Sequence, residues 1–267
     1  MNETDTRFTG SIPETYDRLM GPMLFAPYAA ELAARARRLG ARRVLEIAAG
    51  TGIATRALAG ALPEAEIEAT DLNEAMVSFA ASRNPSPRVR WSTADATALP
   101  YPDRAFDLAI CQFGVMFFPD RGRAFREARR VLSPGGTYLF SVWDGIEQNE
   151  ITRIVSRALA AMFPQNPPTF MERGPHGHGD CVALERDLRE SGFMHVGWEP
   201  VALRSRAASA RDAAVALCEG TPLRHEILER DPRRLGEAVE AATRALRAAL
   251  GDGAIEGSMR AFVFTAS

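Results

Sequence analysis

Several features that mark whole classes of protein are absent from this sequence. No basic and then apolar segment opens the chain, and no apolar run approaches the roughly 20 residues that span a bilayer. The formal net charge is only -2, so no overall positive field attracts polyanions. We therefore predict a cytoplasmic protein without membrane insertion and without a nucleic-acid partner.

Cysteine is scarce as well. Cys111, Cys181 and Cys218 are odd in number, far apart and free of any C-x-x-C pair. This spacing argues against a disulfide framework and against a thiolate zinc site, so we expect buried free thiols. The 267 residues, 46% of them hydrophobic, suffice for one large domain or for one domain with a substantial insertion.

Strand and helix patterns alternate from about Val44 to Asp144. The strand patterns are RVLEIA, AEIEATDL, RVRWSTAD, FDLAICQFGVMFF and GTYLFSVWD. Helical patterns lie between most of them, with Asn73 as the expected N-cap of one helix and Pro119 near the first turn of another. Such a series predicts an α/β fold, a doubly wound parallel sheet with helices on both faces. Ligands of these sheets bind at the carboxyl ends of the strands, where the strand order reverses.

The stretch VLEIAAGTGIATRALAG forms the first strand-to-helix turn of this series and so lies at that edge. A glycine-rich turn of this kind suggests a phosphate at first, because a helix N-terminus offers free N–H groups. The dinucleotide pattern G-x-G-x-x-G fails, however, since its third glycine would fall on Thr55 or Ile53 in the two possible registers. This failure argues against an NAD-dependent oxidoreductase.

The pattern that is present reads E-x-x-x-G-x-G, from Glu46 to Gly52. A carboxylate so close to the turn repels a pyrophosphate but can hold a ligand ammonium group. Asp71 ends the second strand pattern, where an acidic side chain can accept hydrogen bonds from both hydroxyls of a ribose. Together these residues predict a nucleoside that carries a zwitterionic tail.

Four segments carry a family resemblance: VLEIAAGTG, ATDLNEAM, STADATALPYPDRAFDLAICQFGVMFF and EARRVLSPGGTYLFSVWD. In order and spacing they resemble the motifs of class I S-adenosylmethionine-dependent methyltransferases, particularly the ubiquinone and menaquinone biosynthesis branch (methyltransferase type 11). The resemblance covers about Arg43 to Asp144. It implies a Rossmann-like, seven-stranded, mainly parallel sheet with one antiparallel strand. The chain departs from the family at Ala48, where many members have glycine.

The resemblance implies S-adenosyl-L-methionine as the cofactor and S-adenosyl-L-homocysteine as the product. The implied contacts are Glu46, Ala48, Gly50 and Gly52 for the methionine moiety, Asp71 for the ribose, Leu72 and Met76 for the adenine faces, Asp95 and Ala96 for the adenine edge, and Gln112 for the methionine end facing the acceptor. Plainer interpretations stay open for some of them: the glycines as turn formers, Asp71 as a helix cap, Asp95 as a turn residue and Met76 as core.

The segments that flank this series are expected to distinguish the protein from others with the same motifs. We predict an N-terminal helical cap over residues 1–42, with helices broken at Pro22 and Pro27, in which Tyr16 and Phe25 are candidates to touch the cofactor or the acceptor. The predicted methyltransferase core comprises residues 43–206 and 258–267. Between its last two strands we place a helical lid, residues 207–257, over the acceptor pocket.

No catalytic side chain follows from a signature. His176, His178 and Asp180 alternate on a glycine-rich loop that pins no metal geometry, so we predict no metal site. Tyr16, His176 and His178 are the candidates for a general base, which a high-pKa acceptor would require and a thiolate, enolate or amine would not.

The sequence therefore predicts a methyltransferase that transfers a methyl group to a small organic acceptor by in-line displacement. The alternatives are a non-catalytic domain that binds S-adenosylmethionine for regulation and, less favoured, an NAD-dependent oxidoreductase. The methylated element (O, N, C or S) and the choice between monomer and homodimer are left open.

Overall fold

The computed structural model describes residues 12–267 and contains one seven-stranded sheet with the strand order β3-β2-β1-β4-β5-β7-β6. The strands are β1 (Arg43–Ile47), β2 (Glu66–Asp71), β3 (Val89–Thr93), β4 (Phe106–Gln112), β5 (Leu132–Trp143), β6 (Val196–Ala207) and β7 (Ile255–Ala266). β1 pairs in parallel with β2 and β4, β2 with β3, and β4 with β5, whereas β7 runs antiparallel to β5. The expected mainly parallel sheet with one antiparallel strand is confirmed.

The strand order reverses between β1 and β4. The chain moves from β1 outward to β2 and β3, and then returns to β4 on the other side of β1. In a doubly wound sheet this reversal opens a crevice at the carboxyl ends of the two central strands. The segments that follow β1, β2 and β4 therefore meet at one edge.

Helices fill most of the connections. They are α1 (Ile12–Thr15), a π-helical segment (Tyr16–Phe25), α2 (Ala26–Leu39), α3 (Ile53–Ala61), α4 (Glu74–Arg83), α5 (Arg121–Val131), α6 (Glu150–Met162), α7 (Phe170–Arg173), α8 (Cys181–Glu190), α9 (Ala210–Glu219), α10 (Leu223–Arg230) and α11 (Leu235–Leu250). The Asn73 side chain accepts hydrogen bonds from the amides of Ala75 and Met76, which confirms it as an N-cap. Pro119 lies just outside α5, whose N-cap is Asp120.

The expected helix breaks at Pro22 and Pro27 are wrong. The helical backbone continues from α1 into α2 because the Pro22 region adopts π-helical spacing, in which the Ala26 amide donates to the Gly21 carbonyl five residues earlier. Pro27 is the second residue of α2, and the helical backbone runs through it although its nitrogen has no N–H to donate.

Contacts divide the chain into two compact units. The sheet unit comprises Tyr28–Trp143, Gly179–Val201 and Ala261–Ser267. Its core cluster joins α2 and α3 to the central strands, with Leu32, Leu58 and Ile110 fully buried. The three cysteines are free and buried, as expected.

The helical unit comprises the described residues up to Pro27 together with Asp144–His178 and Ala202–Arg260. Within it α11 packs against α9 and α6, and the π-helical segment packs against α9. The predicted domains, a cap over residues 1–42, a core over residues 43–206 and 258–267 and a lid over residues 207–257, stay a prediction. α9, α10 and α11 do lie between β6 and β7, and their role as a lid stays a prediction. Residues 1–11 of the predicted cap lie outside the described residues.

Candidate functional site

The segment after β1, residues 48–52, is called the first loop here. Ala48, Gly50 and Gly52 all have left-handed backbone conformations, with φ of 58°, 56° and 81°. Glycine adopts this conformation without strain, whereas alanine pays roughly 1–2 kcal/mol. The loop is fastened to the end of β2, because the Ala49 amide donates to the Thr70 carbonyl at 2.8 Å and the Thr70 hydroxyl donates to the Glu46 carbonyl at 2.9 Å.

Asp71 joins the first loop to the start of α4. Its Oδ2 accepts the Gly50 amide at 2.8 Å and its Oδ1 accepts the Asn73 amide at 2.8 Å. A carboxylate has about four lone-pair sites, so Asp71 keeps acceptor capacity for a ligand. Burial raises the pKa of the Asp71 carboxyl, and the hydrogen bonds from Asn73, Gly50 and Leu72 oppose that rise. Asp71 is thus an acceptor of fixed orientation, and the helix cap is its neighbour Asn73.

Glu46 is the most desolvated carboxyl group of this edge. Its exposure is 1%, and its Oε2 accepts no hydrogen bond from the described residues. Burial raises the pKa of Glu46 to about 8, opposed in part by hydrogen bonding from Thr55, while the negative charge of Asp71 adds to the rise. Glu46 therefore holds a proton at neutral pH, and a cationic group beside it would favour the ionised form.

The remaining predicted cofactor residues lie on the same edge of the sheet unit. Leu72 is 65% exposed and Met76 is buried in the first turn of α4. Asp95 follows β3, and its Oδ1 accepts the Thr97 amide and hydroxyl, both at 2.8 Å. Ala96 is buried and Gln112 ends β4 half-buried. Their contacts with a cofactor stay a prediction.

The candidate general bases belong to the helical unit. Tyr16 stacks on Phe25, with ring centroids 4.8 Å apart. The Nδ1 atom of His176 lies 2.8 Å from the Asp144 carbonyl oxygen, and burial lowers the pKa of His176 to about 4. An imidazole with so low a pKa accepts a proton poorly at neutral pH. The catalytic roles of Tyr16, His176 and His178 stay predictions.

No observation supports a metal site in the HGHGD loop. The Asp180 carboxylate caps α8 by accepting the Ala183 amide at 3.0 Å. Across residues 12–267 no group of three or more His, Cys, Asp or Glu side chains is placed to hold a metal ion. Within the same residues no helix is long and apolar enough to cross a membrane.

Two close contacts at this edge, at Gly52 and at Gly114, could not be predicted from the sequence. A Cβ atom at Gly52 would lie 2.7 Å from the Trp91 ring and 2.8 Å from the Asn84 side-chain nitrogen. A Cβ atom at Gly114 would lie 2.5 Å from the Cβ of Ala48. Both contacts join residues far apart in sequence, so the glycines themselves were the only signal.

Comparison with known proteins gives the class of this domain. Residues 45–140 match a family model described as a methyltransferase domain. A malonyl-[acyl-carrier protein] O-methyltransferase of Halorhodospira halophila is 40% identical over 107 residues, which are 40% of this chain and 36% of that protein. A ubiquinone/menaquinone biosynthesis C-methyltransferase UbiE of Methylobacterium nodulans is 37% identical over 116 residues, 42% of this chain and 46% of that protein. The matches thus span less than half the length of these two relatives.

The fold has a counterpart among solved structures. Phosphoethanolamine N-methyltransferase 2 of Haemonchus contortus, in complex with S-adenosyl-L-methionine, superposes with a TM-score of 0.61 at 17% identity, covering 100% of this chain and 60% of that chain. At this identity the likeness concerns the fold alone. Residues 45–140 therefore carry the sequence of a methyltransferase domain. Several relatives of these residues are ubiquinone/menaquinone biosynthesis C-methyltransferases or demethylmenaquinone methyltransferases, in line with the resemblance that the sequence predicted.

Proposed function

We propose that this protein is an S-adenosylmethionine-dependent methyltransferase that acts on a small organic acceptor. The observation that carries the proposal is the position of Asp71, whose two oxygens tie the Gly50 amide to the Asn73 amide beside the buried Glu46. The Asp71 carboxylate can accept hydrogen bonds from two ligand hydroxyls. The Glu46 carboxyl group close to it can bind a ligand cation. A nucleoside with a cationic amino-acid tail has both features.

The residues at the edge fit S-adenosylmethionine. A Cβ atom at Gly50 would meet no other atom within 4 Å, so there is space beside the first loop. The first loop and Glu46 would hold the methionine moiety, and Asp71 would hold the ribose. Leu72, Met76, Asp95 and Ala96 would border the adenine, and Gln112 would face the methionine end.

When bound, the cofactor supplies a methyl carbon that its sulfonium group makes electrophilic. The protein's task is then to hold the acceptor atom in line with the breaking bond and to exclude water, which can supply roughly 7–11 kcal/mol of the barrier in favourable cases. A base is needed only for an acceptor whose pKa is high. The low pKa of His176, about 4, makes it a weak base at neutral pH, and Tyr16 and His178 are the other candidates.

The names of the curated relatives, which include quinone biosynthesis methyltransferases, support a small-molecule acceptor. The alternative of a non-catalytic binding domain predicts the same cofactor contacts, so only turnover separates it from the enzyme. An NAD-dependent oxidoreductase is not favoured, because the third glycine of its fingerprint is missing and Glu46 lies beside the first loop. A cytoplasmic location stays a prediction.

The first expected result concerns ligand selectivity. S-Adenosylmethionine and S-adenosylhomocysteine should each raise the melting temperature of the protein, because a ligand that binds only the folded state stabilises it by mass action. NAD and ATP should not, because the first loop lacks the glycine pattern that accommodates a pyrophosphate. Thermal unfolding with each ligand at the same concentration is the measurement. A shift with NAD alone would contradict the assignment.

The second expected result concerns pH. In the free protein Glu46, with a pKa of about 8, is protonated at neutral pH, whereas a bound cation favours its ionised form, so binding should release a proton. Affinity for S-adenosylmethionine should then rise with pH, by up to about tenfold per unit between pH 5.5 and 7. Calorimetry in two buffers of different ionisation enthalpy counts the protons released.

Glu46→Gln is the matched variant for the pH experiment, because the raised pKa of Asp71 adds its own pH dependence. The variant should bind more weakly at pH 7 and should release about one proton fewer than the wild type. Equal proton release by both proteins would place the cationic group of the ligand away from Glu46.

A further inference from the structure

The loop after β4 touches the first loop at a single close contact. Gly114 has a right-handed backbone conformation, with φ of -94° and ψ of -34°, which any residue adopts easily. A Cβ atom there would nevertheless lie 2.5 Å from the Cβ of Ala48 and 2.7 Å from the Sγ of Cys111. Glycine is therefore required at this position by space and not by backbone conformation.

The loop after β4 has little freedom to yield. Phe113 has a φ of 56°, unusual for a bulky residue, and its amide donates to the Ser141 carbonyl at 3.1 Å. Its ring stacks on Trp143 with centroids 3.8 Å apart, and Tyr28 packs edge-on against both rings. Trp143 and Tyr28 are buried. An atom added at Gly114 would consequently press against the first loop.

The first loop forms the other side of this contact. Ala48 has a left-handed conformation, with φ of 58°, and the next two amides, of Ala49 and Gly50, fasten the loop to the end of β2. A push on the Ala48 methyl group would move the backbone between Glu46 and Gly50. Those two residues flank the proposed position of the methionine moiety, while Asp71 ends β2 and Asp95 follows β3.

We propose that Gly114 is a positioning residue for the donor: by leaving space for the Ala48 methyl group it sets the shape of the first loop and so the affinity for the methionine end of S-adenosylmethionine. This inference rests on the proposed function. It assigns Gly114 no contact with the reacting atoms.

The test compares Gly114→Ala with variants that remove the opposing atoms. Gly114→Ala should weaken binding of S-adenosylmethionine and of S-adenosylhomocysteine at least tenfold, measured by calorimetry. Adding Ala48→Gly should recover part of the loss, and adding Cys111→Ala as well should return the affinity to within threefold of Cys111→Ala alone. Gly60→Ala is the control, because a Cβ atom at Gly60 meets nothing within 4 Å, and it should bind as the wild type does.

Methylthioadenosine, which lacks the amino-acid part of the donor, separates positioning from general destabilisation. Its affinity should fall less than threefold in Gly114→Ala, whereas a merely destabilised protein would lose both ligands alike. Should Gly114→Ala fail to fold, the triple variant with Ala48→Gly and Cys111→Ala is expected to fold and bind.

Three results would overturn the inference: Gly114→Ala binding the donor as the wild type does, equal losses for donor and methylthioadenosine, or no recovery in the triple variant. Failure of the wild type to bind S-adenosylmethionine would instead overturn the proposed function, so the two failures are distinguishable.

Discussion

Asp71→Ala should weaken the binding of S-adenosylmethionine by at least a hundredfold. The substitution removes a charged acceptor from two ribose hydroxyls, each such bond being worth roughly 1.5–3 kcal/mol, and about 1.4 kcal/mol corresponds to a tenfold change in affinity. It also frees the Gly50 and Asn73 amides, which Asp71 holds at 2.8 Å. Calorimetric titration of the folded variant measures the effect.

Two further variants test whether the loss of affinity is due to the Asp71 carboxylate itself. Asp71→Asn keeps the shape of the side chain but turns an N–H group toward one of the two amides, so it should bind nearly as poorly as Asp71→Ala. Glu66→Ala removes an exposed carboxylate from the opposite end of the same strand and should leave the affinity unchanged. If Asp71→Ala binds as Glu66→Ala does, the ribose lies elsewhere.

Gly52→Ala should be the most damaging single-methyl change in the first loop. The backbone at Gly52 has φ of 81°, and the new methyl group would approach the Trp91 ring to 2.7 Å. A left-handed alanine costs roughly 1–2 kcal/mol and overpacking a further 1–3 kcal/mol. We expect the free energy of unfolding to fall by about 2–4 kcal/mol, with donor affinity more than tenfold weaker. Urea unfolding and calorimetry measure the two effects.

Gly60→Ala is the matched control for stability. Gly60 lies inside α3 with an ordinary φ and open space around it, so alanine there should stabilise the protein by about 0.5–1 kcal/mol. In the Gly52→Ala background, Trp91→Phe removes the outer ring atoms and should restore part of the lost stability. Equal stability of Gly52→Ala and Gly60→Ala would show that the first loop has another shape.

The sheet could be predicted because its information is local. Each strand of the series is a short apolar run bounded by turn residues, and Asn73 combines a capping side chain with a following helical pattern. The antiparallel strand came from the family resemblance, which the order β5-β7-β6 matches. The helical segment around Pro22 could not be predicted, since its continuity depends on a bond from Ala26 to Gly21 that a proline rule does not foresee.

The candidate site was predictable in its residue types and not in its packing. Glu46 and Asp71 stand out as acidic residues at strand ends, and the glycines mark a tight turn. The contact of Ala48 with Gly114 joins residues far apart in sequence, and the desolvation of Glu46 follows from its burial; only the folded chain produces either. The grouping of α6 with α11 is non-local in the same way.

Turnover is the measurement that tests the central claim most directly. The purified protein would be incubated with S-adenosylmethionine labelled in its methyl group and with a panel of small hydroxylated, amine, thiol and enolisable acceptors, while S-adenosylhomocysteine and labelled products are quantified. We expect equal amounts of S-adenosylhomocysteine and labelled product with at least one acceptor, and none with Asp71→Ala. Tight binding of S-adenosylmethionine with no S-adenosylhomocysteine above the Asp71→Ala level for any acceptor would contradict it and favour a non-catalytic binding domain.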